Sequence, residues 1–256
     1  MHSVHGVNGL VFWTEPEIMF RRHVEEQVVR RVQNILWHEN QAWRFEQTEG
    51  SVLVPRGIVS SEYDEKDIFC QDKTDGIHYL VLRPETTGSS YAYARGLLDS
   101  QYPHKPPLCV WQSGKSFRRE QDQPTKFVRL KEFHQLEFQC IYTDDTLNDY
   151  RKVVLESLVE LLRVLMVPVR DPGMGPAIEI VPSDRVPSYA TSTLDIEVWD
   201  QFAEREMEVC SASIRTDFPG TYTFNTKKGP VEKKLLVLEI ALGLDRIVYQ
   251  RFKNGG

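Results

Sequence analysis

The chain has 256 residues, 27% of them charged and 11% aromatic, with a formal net charge of −6; this is the profile of an ordinary soluble chain with length for one large core or two small ones. The negative balance argues against wholesale coating of nucleic acid, which needs a basic face, although a local basic patch is compatible with it. No apolar run approaches a membrane span, and Met1 to Leu10 has neither the basic nor the apolar region of a secretion signal, so no membrane partner is expected.

The four cysteines, Cys70, Cys109, Cys140 and Cys210, show no metal spacing and no paired framework. They read as buried or inert thiols of a reducing, cytoplasmic compartment. The first predicted element is a helix from Glu15 to Gln41. Ile18, Val24, Val28, Val32 and Leu36 recur at helical spacing, Thr14 can cap it, and Pro16 suits its first turn. Trp43 to Phe45 and Val52 to Val54 are short extended runs, the second stopped by Pro55. In Tyr79 to Thr87, Tyr79, Val81 and Arg83 alternate with Leu80 and Leu82, and Pro84 ends the strand. Glu85 then stands at a strand end beside a helix expected from Ser89 to Leu98, which it could cap, or it could pair with Arg95.

After a turn at Pro103 to Pro107, Ser113 to Cys140 reads as two strands joined by a polar loop that contains Pro124. Arg118 and Glu120, two apart, point to one side. A guanidinium beside an acid and aromatic rings suits a nucleotide; a solvated amphipathic hairpin has the same pattern. Asp145 to Val167 is an amphipathic helix with core leucines, and Asp171 to Pro176 is a Gly/Pro loop. Ser188 to Phe218 reads as two antiparallel strands of a half-solvated sheet. Leu235 to Leu238 is a buried central strand that Glu239 ends, followed by a helix from Ala241 to Phe252. Glu239 and Arg246 could form a structural ion pair. Strands and long helices do not alternate as βαβ units, which predicts an α+β fold.

The string Phe117-Arg118-Arg119-Glu120, followed by Arg129, Phe133 and Glu137 at four-residue steps, resembles motif 2 of the class II aminoacyl-tRNA synthetases. Other segments resemble further parts of that family, in order. Residues 15–57, a helix, an extended run and a proline, resemble motif 1. Leu82-Arg83-Pro84-Glu85-Thr86 resembles the segment of glycyl-tRNA synthetases whose glutamate holds the substrate ammonium. Tyr189-Ala190 through Leu194-Asp195-Ile196-Glu197, and Arg215-Thr216-Asp217-Phe218, resemble the glycyl enzyme upstream of motif 3. Glu208-Val209-Cys210-Ser211 resembles a seryl-enzyme string that carries magnesium. Residues 235–252, with Glu239, Gly243 and Arg246, resemble motif 3, with Gly243 expected to let the helix approach the sheet. Two positions depart from the glycyl pattern: Ile240 replaces a proline, and Ala241 replaces a serine that lies against the bound glycine.

The resemblance implies one catalytic domain over residues 1–256, with motif 2 at 113–140, and a mainly antiparallel sheet flanked by helices. It implies an adenylate-forming ligase that joins ATP and a small amino acid, glycine first and alanine or serine next. Arg118 would hold the α-phosphate and the attacking carboxylate, and Arg246 the γ-phosphate. Glu120 would read the adenine amino group and Phe133 would stack on the base, with Arg129 also in the ATP site. Glu85, Glu137 and Glu239 would surround the ammonium beside Ala241, and Glu208 and Ser211 would carry Mg2+. Motif 1 implies a homodimer. No anticodon-binding domain is recognisable, so the expected acceptor is not read through an anticodon. It could be a tRNA-like RNA engaged by its acceptor stem, a carrier protein or another biomolecule. A catalytically silent accessory subunit is the competing expectation.

Overall fold

The computed structural model describes residues 5–7, 10–70, 79–100, 105–119, 130–143, 146–167, 177–200 and 204–252. Seven principal strands follow in chain order: β1 (Arg44–Gln47), β2 (Leu108–Phe117), β3 (Glu132–Tyr142), β4 (Ile178–Pro182), β5 (Ala190–Asp200), β6 (Arg205–Arg215) and β7 (Leu236–Gly243). They form one sheet in the order β1-β2-β3-β7-β6-β5-β4. Every neighbouring pair is antiparallel except β1 with β2. Four helices flank it: α1 (Glu15–Glu39), α2 (Thr87–Asp99), α3 (Thr146–Leu165) and α4 (Leu244–Phe252). The expected α+β architecture with a mainly antiparallel sheet is the one observed.

Period-two alternation gives the sheet two unlike faces. From β7, Leu238, Ile240 and Leu242 join Val24, Val28, Val32 and Leu36 of α1 and Leu155, Leu158 and Leu162 of α3 in the main core. Each such side chain contributes roughly 1.5–3 kcal/mol when fully buried. The opposite face is apolar only where α2 covers it, through Tyr91, Ala94 and Leu98 against Leu108, Val110, Ile141 and Val237. The rest of that face is polar.

α1 begins where Thr14 places it. The Thr14 main-chain N–H and hydroxyl both donate to Glu17 Oε2 at 2.7 Å, and Asn40, in extended conformation, ends the helix just short of the expected Gln41. Two expectations for the last segment are corrected. Glu239 does not end its strand: β7 runs on to Gly243, because β3 and β6 both supply ladder partners as far as Leu242, and β3 beyond it. The helix therefore starts at Leu244, not Ala241. Nor does Gly243 serve a close helix-to-sheet approach. A Cβ there would make ordinary contact, at 3.4 Å, with the Arg246 side chain.

Cys109, Cys140 and Cys210 are buried as expected, whereas Cys70 is exposed. Pro124, Glu120, Arg129 and the Asp171–Pro176 loop lie outside the described residues. Among the described residues, no helix is long and apolar enough to cross a membrane.

α2 is held by a close approach that requires glycine. A Cβ on Gly88 would lie 2.1 Å from the Ile58 carbonyl oxygen, whereas one on Gly96 would meet nothing within 4 Å. Gly88→Ala is therefore expected to cost about 1–3 kcal/mol by overpacking. Gly96→Ala should add up to about 1 kcal/mol through helix propensity. Thermal melts of the two variants should move in opposite directions; equal shifts would contradict this packing.

Candidate active site

The polar half of the sheet is built from two cross-strand rows. In one, Gln112 of β2 faces Glu137 of β3, which faces Ala241 of β7, then Ser211 of β6 and Asp195 of β5. In the next, Gln139, Glu239, Ser213 and Thr193 stand opposite one another in turn. The rows form the floor of an open cavity of about 300 Å³. Ser188 to Phe218 is less solvated than expected: Thr193, Asp195, Ser213 and Arg215 on the cavity face are buried, whereas Glu206 and Glu208 are exposed.

Of the residues singled out from sequence, Glu85, Arg118, Phe133, Glu137, Glu208, Ser211, Glu239, Ala241 and Arg246 all line this one cavity. Arg118 and Arg246 therefore share it. Glu120 and Arg129 lie outside the described residues.

One end of the cavity is acidic. Glu85, Glu137 and Glu239 are 9%, 2% and 8% exposed, so each carboxylate must be compensated locally. The start of α2 does much of this. The Thr86 main-chain N–H donates to Glu137 Oε2 at 3.0 Å, and the Thr86 hydroxyl donates to the same oxygen. The Thr87 hydroxyl donates to Glu239 Oε2 at 2.8 Å, beside Gln139 Nε2 at 2.9 Å. Glu85 has less support: the Tyr63 hydroxyl donates to it at 3.3 Å. It neither caps α2 nor meets Arg95, which pairs with Asp99 instead. Burial, with Glu239 and Glu137 adding to it against the pull of Arg215 and Arg118, pushes the Glu85 carboxyl up to about 7. Burial and Glu239 also raise Glu137, against its bond from Thr86.

The strand end that carries Glu85 is stapled to β2. Arg83 Nε donates to the Lys115 carbonyl at 2.9 Å and Nη1 to the Gly50 carbonyl at 2.8 Å. Gln112 Nε2 donates to the Thr86 carbonyl at 2.8 Å. Gly114 makes room for this, since a Cβ there would fall 2.3 Å from Arg83 Nη2. Arg118 folds back over the same strand end: its Nε donates to the Pro84 carbonyl at 3.1 Å. Its guanidinium lies 5.4 Å from the Tyr63 ring and 5.2 Å from the Phe133 ring.

Arg215 has the largest structural part in the site, and sequence reading gave it no role. It is 1% exposed. It makes a fork to Asp217 at 3.1 and 2.7 Å and donates to Glu239 Oε2 at 2.7 Å. Its guanidinium lies 3.8 Å from the Tyr189 ring. Burial opposes its charge, yet Glu239 and Asp217 outweigh that and hold its pKa above the ordinary value. Glu239 therefore pairs with Arg215, not with Arg246 as an ion-pair reading of the sequence suggested.

At the other end, Arg246 Nη1 donates to the Glu208 carbonyl at 2.6 Å and lies 3.9 Å from the Glu208 carboxylate. Residues three apart on a regular strand face opposite ways, but the β5–β6 register shifts between Glu208 and Cys210. The bulge turns Val209 and Cys210 both into the core and leaves Glu208 and Ser211 on the cavity side. Asp195 is 5% exposed, and its Oδ1 is buried without a hydrogen-bond partner. Burial raises its carboxyl. Among the described residues, no group of three or more His, Cys, Asp or Glu side chains gathers as a metal centre. A two-residue oxygen set, Glu208 with Ser211, still suits a hard cation whose other positions phosphates and waters would fill, and the unpartnered Asp195 oxygen lies beside it.

Thr86, Asp195 and Arg215 fell within the resembling strings but were given no role, and Thr87, Gln112 and Gln139 were not singled out. Gln112 and Gln139 carry a readable signal, a polar residue two positions from the buried Val110 and Ile141, whereas Asp195 and Arg215 stand on the polar side of alternating strands.

The sequence profile described as "tRNA synthetase class II core domain (G, H, P, S and T)" matches residues 69–251. Glycine--tRNA ligase of Mycolicibacterium paratuberculosis is 29% identical over 145 residues, which is 56% of this chain and 30% of that protein. The enzyme of the same name from Nocardia farcinica is 28% identical over 148 residues, 57% of this chain and 30% of its own. The alignments thus span about 30% of the length of these curated relatives. Giardia lamblia prolyl-tRNA synthetase in complex with prolyl-adenylate superposes with a TM-score of 0.67 at 15% identity, covering 96% of this chain and 47% of that one. Cryptosporidium parvum prolyl-tRNA synthetase with halofuginone and AMPPNP gives 0.69 at 15% identity, covering 95% and 48%. At such identity the likeness is one of fold. Sheet order, cavity floor and a profile match over most of the length lead to one conclusion: the chain belongs to the class II tRNA synthetase core domain family.

Proposed function

We propose that the protein activates a small amino acid, glycine first, by joining it to ATP as an aminoacyl-adenylate. The observation that carries this reading is the convergence of three buried glutamates, Glu85, Glu137 and Glu239, on the cavity that Arg118 and Arg246 also enter. Arg215 already pairs with Glu239, but Glu85 and Glu137 remain buried acids with raised carboxyls beside it. Such a group is costly unless a further cation joins it, and a substrate ammonium is such a cation. Walls of carboxylate, with Tyr63 and Tyr189 beside them, leave space for a small side chain. Ala241, in the same row as Glu137, admits glycine and leaves room for alanine or serine.

In the proposed reaction a carboxylate oxygen of the amino acid attacks the α-phosphorus of ATP. A new P–O bond forms, the bond to the bridging oxygen breaks, and pyrophosphate leaves with both electrons. The protein contributes position and charge more than covalent chemistry. Arg118 spans the strand end at Glu85 and the ring of Phe133, so it can hold the attacking carboxylate and the α-phosphate together. Phe133 stacks on the adenine, and Arg246 grips the γ-phosphate. Glu120 would read the adenine amino group and Arg129 would belong to the ATP site, both by resemblance alone. Glu208 and Ser211 would hold Mg2+, which when bound supplies charge neutralisation on the phosphates. Phe12, Met19 and Trp37 stand 46%, 56% and 46% exposed on and before α1, which supports a two-fold homodimer through residues 15–57. The acceptor would be a tRNA-like RNA, a carrier protein or another biomolecule.

The test is ATP–pyrophosphate exchange across the twenty amino acids. Exchange with glycine, and weakly with alanine or serine, is expected. Arg118→Ala should lower it by roughly a hundredfold or more, the scale of losing a key charge-stabilising donor, with an unchanged melting midpoint. A folded protein with no exchange for any amino acid would overturn the reading in favour of an accessory subunit.

A further inference from the structure

The cavity wall near Arg246 contains a polar cluster that the proposed chemistry does not use. Asp245, in the first turn of α4, is 3% exposed. Its Oδ2 accepts the His134 main-chain N–H at 2.9 Å, and its Oδ1 accepts Arg21 Nη1 at 3.3 Å. The same Arg21 nitrogen lies 3.0 Å from His134 Nδ1. Arg21 comes from α1, on the far side of the sheet's edge, and its guanidinium also lies 5.8 Å from the Trp13 ring. One side chain thus ties three separate segments together: α1, the start of β3 and the start of α4.

The tie favours one tautomer. Two contacts compete for His134 Nδ1: the Arg21 guanidinium at 3.0 Å, which can only donate to it, and the Asp245 carboxylate at 3.4 Å, which can only accept from it. The shorter contact asks Nδ1 to accept and places the ring proton on Nε2. The Nε2–H edge is the one left for the cavity, which His134 lines together with Phe133 and Arg246. An N–H donor at that place suits a phosphate oxygen.

We infer that Arg21 is a positioning residue that locks Asp245 and His134, so that Arg246 and the His134 Nε2–H together receive the distal phosphates of the nucleotide. The inference rests on the activation reading above, and it assigns two further residues to it: His134 as a phosphate donor and Arg21 as the group that orients it. Neither is involved at the glutamate end, so the expected signature is selective for nucleotide.

Arg21→Met keeps the bulk of the side chain and removes its donors. In pyrophosphate exchange it should raise the KM for ATP at least tenfold and leave the KM for the amino acid within twofold. Calorimetric titration with a non-hydrolysable ATP analogue should lose affinity by the same factor, and Arg21→Lys should recover part of it. Nitrogen NMR of the wild-type protein should show His134 protonated on Nε2. Equal loss for both substrates, or no loss of nucleotide affinity, overturns the inference while wild-type exchange leaves the activation reading standing. A wild-type protein that binds the analogue but exchanges nothing overturns the activation reading, and the titration still judges Arg21. Should Arg21→Met fail to fold, the tautomer decides: a proton on Nδ1 overturns the inference.

Discussion

Glu85→Gln is expected to weaken amino-acid binding and, above pH 7, to make the fold more stable. The two effects have one origin. The Glu85 carboxyl is buried among Glu137 and Glu239 and pushed up to about 7 from an ordinary 4.5. Between those values the folded chain holds a proton that the unfolded chain has released. Stability therefore falls as pH rises from about 4.5 to 7, and the gap corresponds to about 3 kcal/mol lost by pH 8. Glutamine cannot ionise, so the variant escapes that loss. Denaturant titrations should find the two proteins close at pH 5 and the variant more stable by about 3 kcal/mol at pH 8. At the same time the ammonium loses a charged acceptor, worth roughly 1.5–3 kcal/mol, so the amino-acid KM should rise roughly tenfold to a hundredfold. In the wild type, amino-acid KM should fall as pH rises through about 7, since the ammonium binds the ionised carboxyl. Parallel stability profiles for the two proteins would refute the electrostatic account. An unchanged KM would remove Glu85 from the substrate pocket.

Arg215→Ala should be among the most damaging substitutions in the chain, with an expected cost of about 3–5 kcal/mol. The loss is not that of one ion pair. It leaves the buried Glu239 without its cation and frees Asp217 from a two-bond fork. It also strips the face of Tyr189. Because the penalty comes mostly from an uncompensated charge, Glu239→Gln in the same chain should restore a measurable part of the stability without restoring any exchange. Chemical unfolding of the single and double variants gives the comparison. A single-variant cost below about 1 kcal/mol, or a double variant no better than the single, would show that Arg215 is not neutralising the pit.

Much of this was legible in the sequence, and the parts that were not share a cause. α1 and α3 announce themselves by apolar spacing, and the pairing of β2 with β3 by two apolar-rich runs around a polar loop. The residues that share the cavity were picked out by motif strings, because chemistry concentrates in short local patterns. What local reading missed depends on neighbours distant in sequence. Ile240-Ala241-Leu242-Gly243 looks like the entry to a helix until β3 and β6 are seen to hold it in a ladder. Glu239 and Arg246 look like partners until Arg215 arrives from another strand. Thr86 and Thr87 look like plain connecting residues before the helix expected from Ser89 until Glu137 and Glu239 are placed beside them. The sequence Met207 to Arg215 did carry a readable signal: apolar and polar residues alternate along it except at Val209-Cys210.

That irregularity has an evolutionary meaning. Glu208 and Ser211, three apart in sequence, share a side because the extra residue of β6 is taken up as a bulge and not as one more rung of the ladder. Straightening the strand with both Val209 and Cys210 in the ladder would swing the Glu208 carboxylate among the apolar side chains beneath it. Losing one of the two would instead give a tidier ladder with Glu208 and Ser211 still facing the same way. Descendants of this fold that keep the chemistry are therefore free to vary what stands at 209 and 210, or to shed one of them, but not to iron out the kink with both in place.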